Sequence, residues 1–436
     1  MNIVYDIEVF KNMNMVGFLR DDKKMFMVFN VKGMQKMNFV YNGVTVYIND
    51  PEQRQKSIPL LSGIYGFNNH SYDDYLIGDI LHAGDYNYIK NLSDALVSSN
   101  RPPRRRFDWW SYDLKEQLPP GFSLKKFESM RGLSVLESDI DFNYSGLFNL
   151  DQIKEIVKYN KQDLFASLEL KNIRKVYFES KSILVDKFGW GGAQRFSNGT
   201  ITASYLLGKE KLENYKPKYI KLEGIPDEAK KFLANAYSVA PKVSSIPNKD
   251  ERDKKKREEW SSLLTEAHGC VYTWSWGGMH AAKGHIKVTL KTKRPIFDYV
   301  KRKNVWQVDV TSMFPNIMIR DYLLGGATEK FKNLVADRVE NKRKGVPIQN
   351  AQKIVINSVY GLLRLLSSKL FNPHCAIAVN VAGMVSIYNL AEQLDKLGEI
   401  IQVNTDGVAF VPDEGITEDQ INHEIKIWED QFKLKL

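Results

Sequence analysis

Hydrophobic and polar positions follow different periods in different parts of this chain. Over residues 1 to about 185, short β-rich runs interleave with helical ones, the pattern of a mixed α/β domain. Ile3-Val-Tyr-Asp-Ile-Glu-Val9 predicts a strand and a second follows near Met25 to Val31, with helical spacing over Tyr72 to His82 and Asp151 to Lys175. A glycine-rich bend at Gly189 to Gly192 marks a boundary, and from about 195 to 265 the chain reads as helical and highly charged. Beyond about 285 come a strand ending at Asp309, a helical hairpin from Glu329 to Tyr360, a buried helix and a β-hairpin around Asp406. The most apolar stretch, Cys375 to Ala391, is interrupted by Asn380, Ser386 and Asn389, so it predicts a buried helix and no membrane span.

At 436 residues the chain is too long for one ordinary core, and the pattern predicts a multidomain protein of α/β and α+β parts. The formal net charge of +10 favours a polyanionic partner through steering, without proving one. Only Cys270 and Cys375 are present, far apart, which gives neither a disulfide framework nor a zinc spacing. The first residues carry an acid inside their apolar run and no basic segment, so no signal peptide is expected and the location expected is cytoplasmic. Lys249 to Glu259 holds six basic and five acidic residues, which reads first as a solvated helix face. Arg101-Pro-Pro-Arg-Arg-Arg106 is a better candidate for phosphate contact, against the default of a surface loop.

Two sets of residues carry candidate chemistry. In the first, Asp6 and Glu8 leave one face of a strand, and such a pair is costly to bury without a cation. Asp73 opens a helical run with Asn69 four residues before it, while Tyr159 and Asp163 lie one helical turn apart. Four carboxylates from a strand and two helices suit a two-metal hydrolytic site, with Tyr159 orienting the attacking water. In the second set, Asp309 ends a strand, Asp406 sits in a turn, and Lys353, Asn357 and Tyr360 fall at i, i+4 and i+7 on one helix face. Two acids sharing Mg²⁺ beside a cation, an amide and a ring suit nucleotidyl transfer to a nucleoside triphosphate.

These segments resemble the motifs of family B DNA polymerases, phage members among them. Asp6-Ile-Glu8, Asn69-to-Asp73 and Tyr159-to-Asp163 look like the three motifs of the proofreading domain, and Asp108-Trp-Trp-Ser-Tyr-Asp-Leu-Lys and Ser123-Leu-Lys-Lys-Phe-Glu128 resemble phage segments. Asp309-Val-Thr-Ser-Met-Phe-Pro315, Lys353-to-Gly361 and Asn404-Thr-Asp-Gly407 resemble polymerase motifs A, B and C. The resemblance implies an RNase H-like 3′→5′ exonuclease over 1–185, a connecting region over 186–284, palm over 285–327, fingers over 328–362 and palm again over 363–436. It implies two Mg²⁺ ions, or Mn²⁺, at each site, with primer–template DNA and dNTPs as partners. Asp6, Glu8, Asp73 and Asp163 would hold metal at one site, Asp309 and Asp406 at the other. Lys353 would meet the triphosphate, Asn357 and Tyr360 would back the nascent base pair, and Ser312 would lie in the nucleotide-binding stretch. Phe314 would exclude a 2′-hydroxyl, although core packing also explains a phenylalanine. Arg338, Lys342 and Arg343 are further triphosphate candidates, or a solvated face. Ser275-Trp-Gly-Gly-Met-His280 resembles the linker motif whose glycines, Gly277 and Gly278, let the backbone approach DNA; a simple turn fits equally.

The match departs from the family in three places. Asn404 stands where relatives carry Asp, leaving Asp406 as the bridging acid. Motifs A and B lie 44 residues apart (353 − 309), which leaves short fingers and favours priming from a nucleic-acid end. The chain stops 30 residues (436 − 406) after Asp406, so the expectation is either a second polypeptide supplying a thumb or a truncated product, and in both cases weak synthesis by this chain alone. The competing expectation is an exonuclease whose second half only binds DNA.

Overall fold

A computed structural model describes residues 3–98, 107–217, 221–259, 262–283, 287–288, 295–296 and 304–436. The arginine run at 101–106 lies outside them. The chain divides into two compact units, Met1–Ser197 and Asn198–Leu436, each a mixture of helices and a sheet.

The first unit carries strands β1 (Ile3–Val9), β2 (Met13–Arg20), β3 (Met25–Val31), β4 (Met37–Tyr41), β5 (Val44–Ile48), β6 (Ile64–Gly66) and β7 (Ser111–Asp113). Its helices are α1 (Pro51–Ser57), α2 (Asp73–Leu81), α3 (Tyr86–Ser98), α4 (Leu124–Met130), α5 (Leu150–Ile173) and α6 (Lys175–Phe188). The strands form one mixed sheet in the order β4-β5-β3-β2-β1-β6-β7. Because side chains alternate along a strand, β1 feeds two cores. Ile3, Tyr5, Ile7 and Val9 pack with Leu76, Ile77 and Ile80 of α2 and Ile89 of α3. Val4 packs on the opposite face with Ile153, Ile156, Val157 and Leu164 of α5. Asp6 and Glu8 continue the Val4 row, so two acids point to the layer that α5 covers.

Helix α5 begins at a capping box, in which Asn149 accepts from the Gln152 amide and Gln152 answers with its own side chain. Its buried stripe runs Ile153, Ile156, Val157, Asn160, Asp163 and Leu164, apolar except where it meets the acids of β1. Gly17 on β2, paired with Asp6, permits that approach: a methyl group there would overlap the Asn160 carboxamide.

The second unit holds β8 (Leu263–Ala267), β9 (Cys270–Ser275), β10 (Gly278–Ala282), the short pair β11 (Lys287–Val288) and β12 (Pro295–Ile296), then β13 (Trp306–Asp309), β14 (Gly398–Val403) and β15 (Gly407–Pro412). Six of these make an antiparallel sheet, β13-β15-β14-β10-β9-β8. Its helices are α7 (Asn198–Leu207), α8 (Asp227–Ser244), α9 (Lys249–Glu259), α10 (Met313–Arg320), α11 (Thr328–Arg343), α12 (Ile348–Arg364), α13 (Pro373–Asp395) and α14 (Glu418–Phe432). Helix α13 is long and apolar enough to cross a membrane, but nearly all of it is buried inside the protein. Helix α9, the charged run, buries no residue.

Candidate functional sites

In the first unit, Asp6, Glu8 and Asp163 each bring a carboxylate oxygen to within 4.8 Å of the others, the only such acidic group of three or more among the described residues. Asp73, buried at the start of α2, stands outside that group, yet its charge couples to that of Asp6. Burial, with the charge of Asp163 added, pushes Asp6 up to about 8. Burial and the neighbouring acids also hold Glu8 and Asp73 well above the carboxylate range. Asp163 is raised by burial against the pull of Lys125. Four acids crowded in this way cannot all ionise unless positive charge joins them.

One such charge comes from the chain itself. Lys125 on α4 donates to Asp163 at 2.6 Å, lies 3.5 Å from the buried Glu128, and sits over the Tyr159 ring at 4.6 Å. Asn160 donates to Asp6 at 2.7 Å, while its own carboxamide oxygen is buried without a hydrogen-bond partner. Neither residue was among the candidates from the sequence. The signal for Asn160 was a polar side chain inside an apolar helical stripe; Lys125 lies in the Ser123–Glu128 segment marked by resemblance, but its pairing with Asp163, 38 residues away, has no local signal.

Asn69 is fully buried and donates to Asp74 at 3.2 Å and to Ser111 at 3.0 Å, while its carboxamide oxygen has no hydrogen-bond partner. Asp74 is the hub there, accepting also from Tyr5 and from Ser111 at 2.7 Å, with the Arg195 guanidinium 2.7 Å away. The network fixes the turn that aims Asp73, because a buried carboxylate is tolerated only when its oxygens are satisfied.

In the second unit, three turns share one end of the sheet. Strand β13 ends at Asp309, paired with Gly407, and Asp406 immediately precedes Gly407. The Val310 amide donates to the Asp406 carbonyl at 2.8 Å, locking the two segments. A side chain at Gly407 would overlap the Asp309 carboxylate, which lies directly over that α-carbon. Gln307 donates to both oxygens of Asp309, at 3.2 and 3.0 Å. Asn404 accepts from Gln402 at 3.1 Å. Gly278 starts the neighbouring β10 with φ of +139° and abuts Thr405, while Gly277 is exposed in the turn before it.

Ser312, with φ of 48°, turns the chain from Asp309 into α10, so that Phe314 meets Tyr360 edge to face at 4.8 Å, and a methyl group at Gly383 of α13 would lie 3.4 Å from the Phe314 ring. Lys353, Asn357 and Gly361 form an exposed stripe on α12 beside Tyr360. On α11, Arg338 is half-buried and its Nε has no hydrogen-bond partner. Lys342 is exposed, and Arg343 pairs with Glu340 at 2.6 Å.

Both acidic sets offer only carboxylate oxygens, the donors that hard divalent cations such as Mg²⁺ and Mn²⁺ take. The raised acids of the first unit fit a cation best, since it would relieve the repulsion that Lys125 relieves only in part.

No model of a known protein family matches the chain, and no curated protein does. Among solved structures it is similar to the family B DNA polymerase of the hyperthermophilic archaeon Pyrobaculum calidifontis, with TM-score 0.48 and 13% identity. The match covers 100% of this chain and 56% of that one, so the chain spans little more than half that polymerase's length. At this distance the likeness fixes neither fold nor activity.

Proposed function

We propose that the chain is a DNA-directed DNA polymerase with a 3′→5′ proofreading exonuclease, synthesising through its second unit and hydrolysing through its first. The observation that carries the reading is the Asp309–Gly407 pairing, which brings two motif acids, 97 residues apart (406 − 309), to adjacent places at one sheet edge. Metal ions held there by Asp309 and Asp406, and at the other site by Asp6, Glu8, Asp73 and Asp163, would supply Lewis-acid activation of the attacking oxygen and charge neutralisation at phosphorus.

The chain's own residues do the rest. Lys353 presents a point charge to the triphosphate, with Arg338 a second cation on the neighbouring helix. Asn357 and Tyr360 form the wall behind the incoming base, and Phe314, braced by Tyr360, fills the space a ribose 2′-hydroxyl would need. The exposed backbone at Gly277 lets a DNA strand come close. In the first unit Tyr159 positions a water, Asn160 orients Asp6, and Lys125 steadies Asp163 against its acidic neighbours.

A second reading is an exonuclease whose other unit only binds DNA. It is favoured by the three-acid group of the first unit, which has no counterpart among the described residues of the second, and by the hold of Gln307 on both Asp309 oxygens. A labelled primer on a longer template separates the two. With Mg²⁺ and dNTPs the primer should lengthen, and without dNTPs it should shorten; shortening under both conditions would establish the second reading.

A further inference from the structure

Three adjoining hollows in the second unit run along α8 and past the end of α12. The first, of about 630 Å³, is lined by Lys216, Lys242 and His374. A neck walled by Trp276, Tyr360 and Arg364 shares Pro373 with it. The third, of about 500 Å³, shares Ser244 and Arg364 with the neck and adds Arg252 and Lys256. None of the described residues lining the three is acidic, although the whole chain carries 52 acids among 436 residues. Neither Lys216, Lys242 nor Arg364 forms an ion pair with another described residue, and Arg252 spends one nitrogen on the Ile246 carbonyl. Lys256 is paired with Asp253 at 3.7 Å, whereas Lys216, Lys242, Arg252 and Arg364 have no ion-pair partner among the described residues, and such a row of cations attracts a polyanion. Burial and the charge of Lys216 hold His374 below its usual range, so it enters as a neutral hydrogen-bonding group.

We infer that this groove binds single-stranded nucleic acid, as the path of the unpaired template leading to the synthesis site. The inference rests on the polymerase reading for its direction: the neck is walled by Tyr360, the residue placed behind the incoming base, so a strand in the groove passes directly to that base. The neck lies between the two wider hollows, so a flexible strand can lie across it with its phosphates on the cations at either side.

The test is fluorescence anisotropy with the full chain and a labelled primer–template carrying either no 5′ overhang or one of about 12 nucleotides, the scale of a single-strand site. Lys216→Ala with Lys242→Ala should weaken binding of the overhanging substrate by roughly tenfold and flatten its salt dependence by about 0.7 in log–log slope for each phosphate no longer neutralised. Binding of the blunt substrate should not change, and Lys216→Arg with Lys242→Arg should restore affinity. Thermal melting checks that both variants fold. Equal binding of the overhanging substrate by variant and wild type would overturn the groove, as would an equal loss on both substrates. If the wild-type chain extends no primer but the alanine variant still loses overhang binding, the template assignment falls with the polymerase reading and a single-strand site remains.

Discussion

Phe314 and Tyr360 come from segments 46 residues apart (360 − 314) and meet edge to face at 4.8 Å. A ring packed edge to face on a neighbouring aromatic is restrained, which is what a steric filter requires. Phe314→Val should therefore admit ribonucleotides, raising their incorporation relative to deoxyribonucleotides by roughly 10–200-fold, the range for a small change in the shape of an apolar pocket. Single-nucleotide incorporation with paired dNTP and rNTP measures it; unchanged discrimination would make Phe314 a packing residue only.

Gly407→Ala places a methyl group on the Asp309 carboxylate and close to the Val308 carbonyl. Either Asp309 or the strand pairing must move, and a displacement of about 1 Å at a reacting centre costs on the order of 10²-fold in rate. Primer extension should fall by that much while degradation of single strands continues. Loss of neither activity would mean Asp309 has no catalytic part.

The 2.6 Å contact from Lys125 to Asp163 supplies the one positive side chain in the first acidic group. Lys125→Met keeps the length and removes the charge, leaving the acids less restrained. Exonuclease activity should drop by about 10-fold to 100-fold, with the pH profile displaced, while extension with dNTPs is retained. An unaltered profile would leave Lys125 a structural ion-pair partner.

Asp6 is held at about 8 in the folded chain against an ordinary value of 3.8, and Glu8, Asp73 and Asp163 are raised too. Between those two values the folded protein holds more protons than the unfolded one, so stability declines as pH rises through that window. Metal-free protein should melt at a higher temperature at pH 5.5 than at pH 8, and Mg²⁺ or Mn²⁺ should restore the loss at pH 8. Asp6→Asn should raise the metal-free melting temperature at pH 8, a gain on the order of 1–3 kcal/mol, and abolish most of the Mg²⁺ effect. Calorimetry in chelator and in Mg²⁺ at the two pH values checks all three; a metal-free protein equally stable at both would contradict the raised acids.

Much of this was legible in the chain. The strand at Ile3–Val9, the helical hairpin now seen as α11 and α12, the buried α13 and the turn at Asp406 all follow from period and turn chemistry. Strand β2 was not singled out because Asn14 and Gly17, both poor strand formers, interrupt its apolar run. The charged segment from 195 to 265 reads as helix throughout, but residues 208–217, which follow α7, are irregular. They are pinned by Leu212 donating to the Lys369 carbonyl and by Asn372 donating to the carbonyls of Glu213 and Tyr215. Those partners lie more than 150 residues away. The same distance hides the burial of Asn69 and the role of Asp74, whose partners Tyr5, Ser111 and Arg195 come from separate parts of the first unit. Local period places an acid on a strand; only tertiary contact says which acid is the hub and which the ligand.

Two sites in two units should be separable by single substitutions, and primer extension against primer degradation by Asp6→Ala and Asp309→Asn measures this directly. The account predicts that Asp6→Ala extends a primer with dNTPs and Mg²⁺ but no longer shortens it, while Asp309→Asn shortens it and does not extend it. Extension that survives Asp309→Asn, or loss of both activities from either substitution, would contradict it.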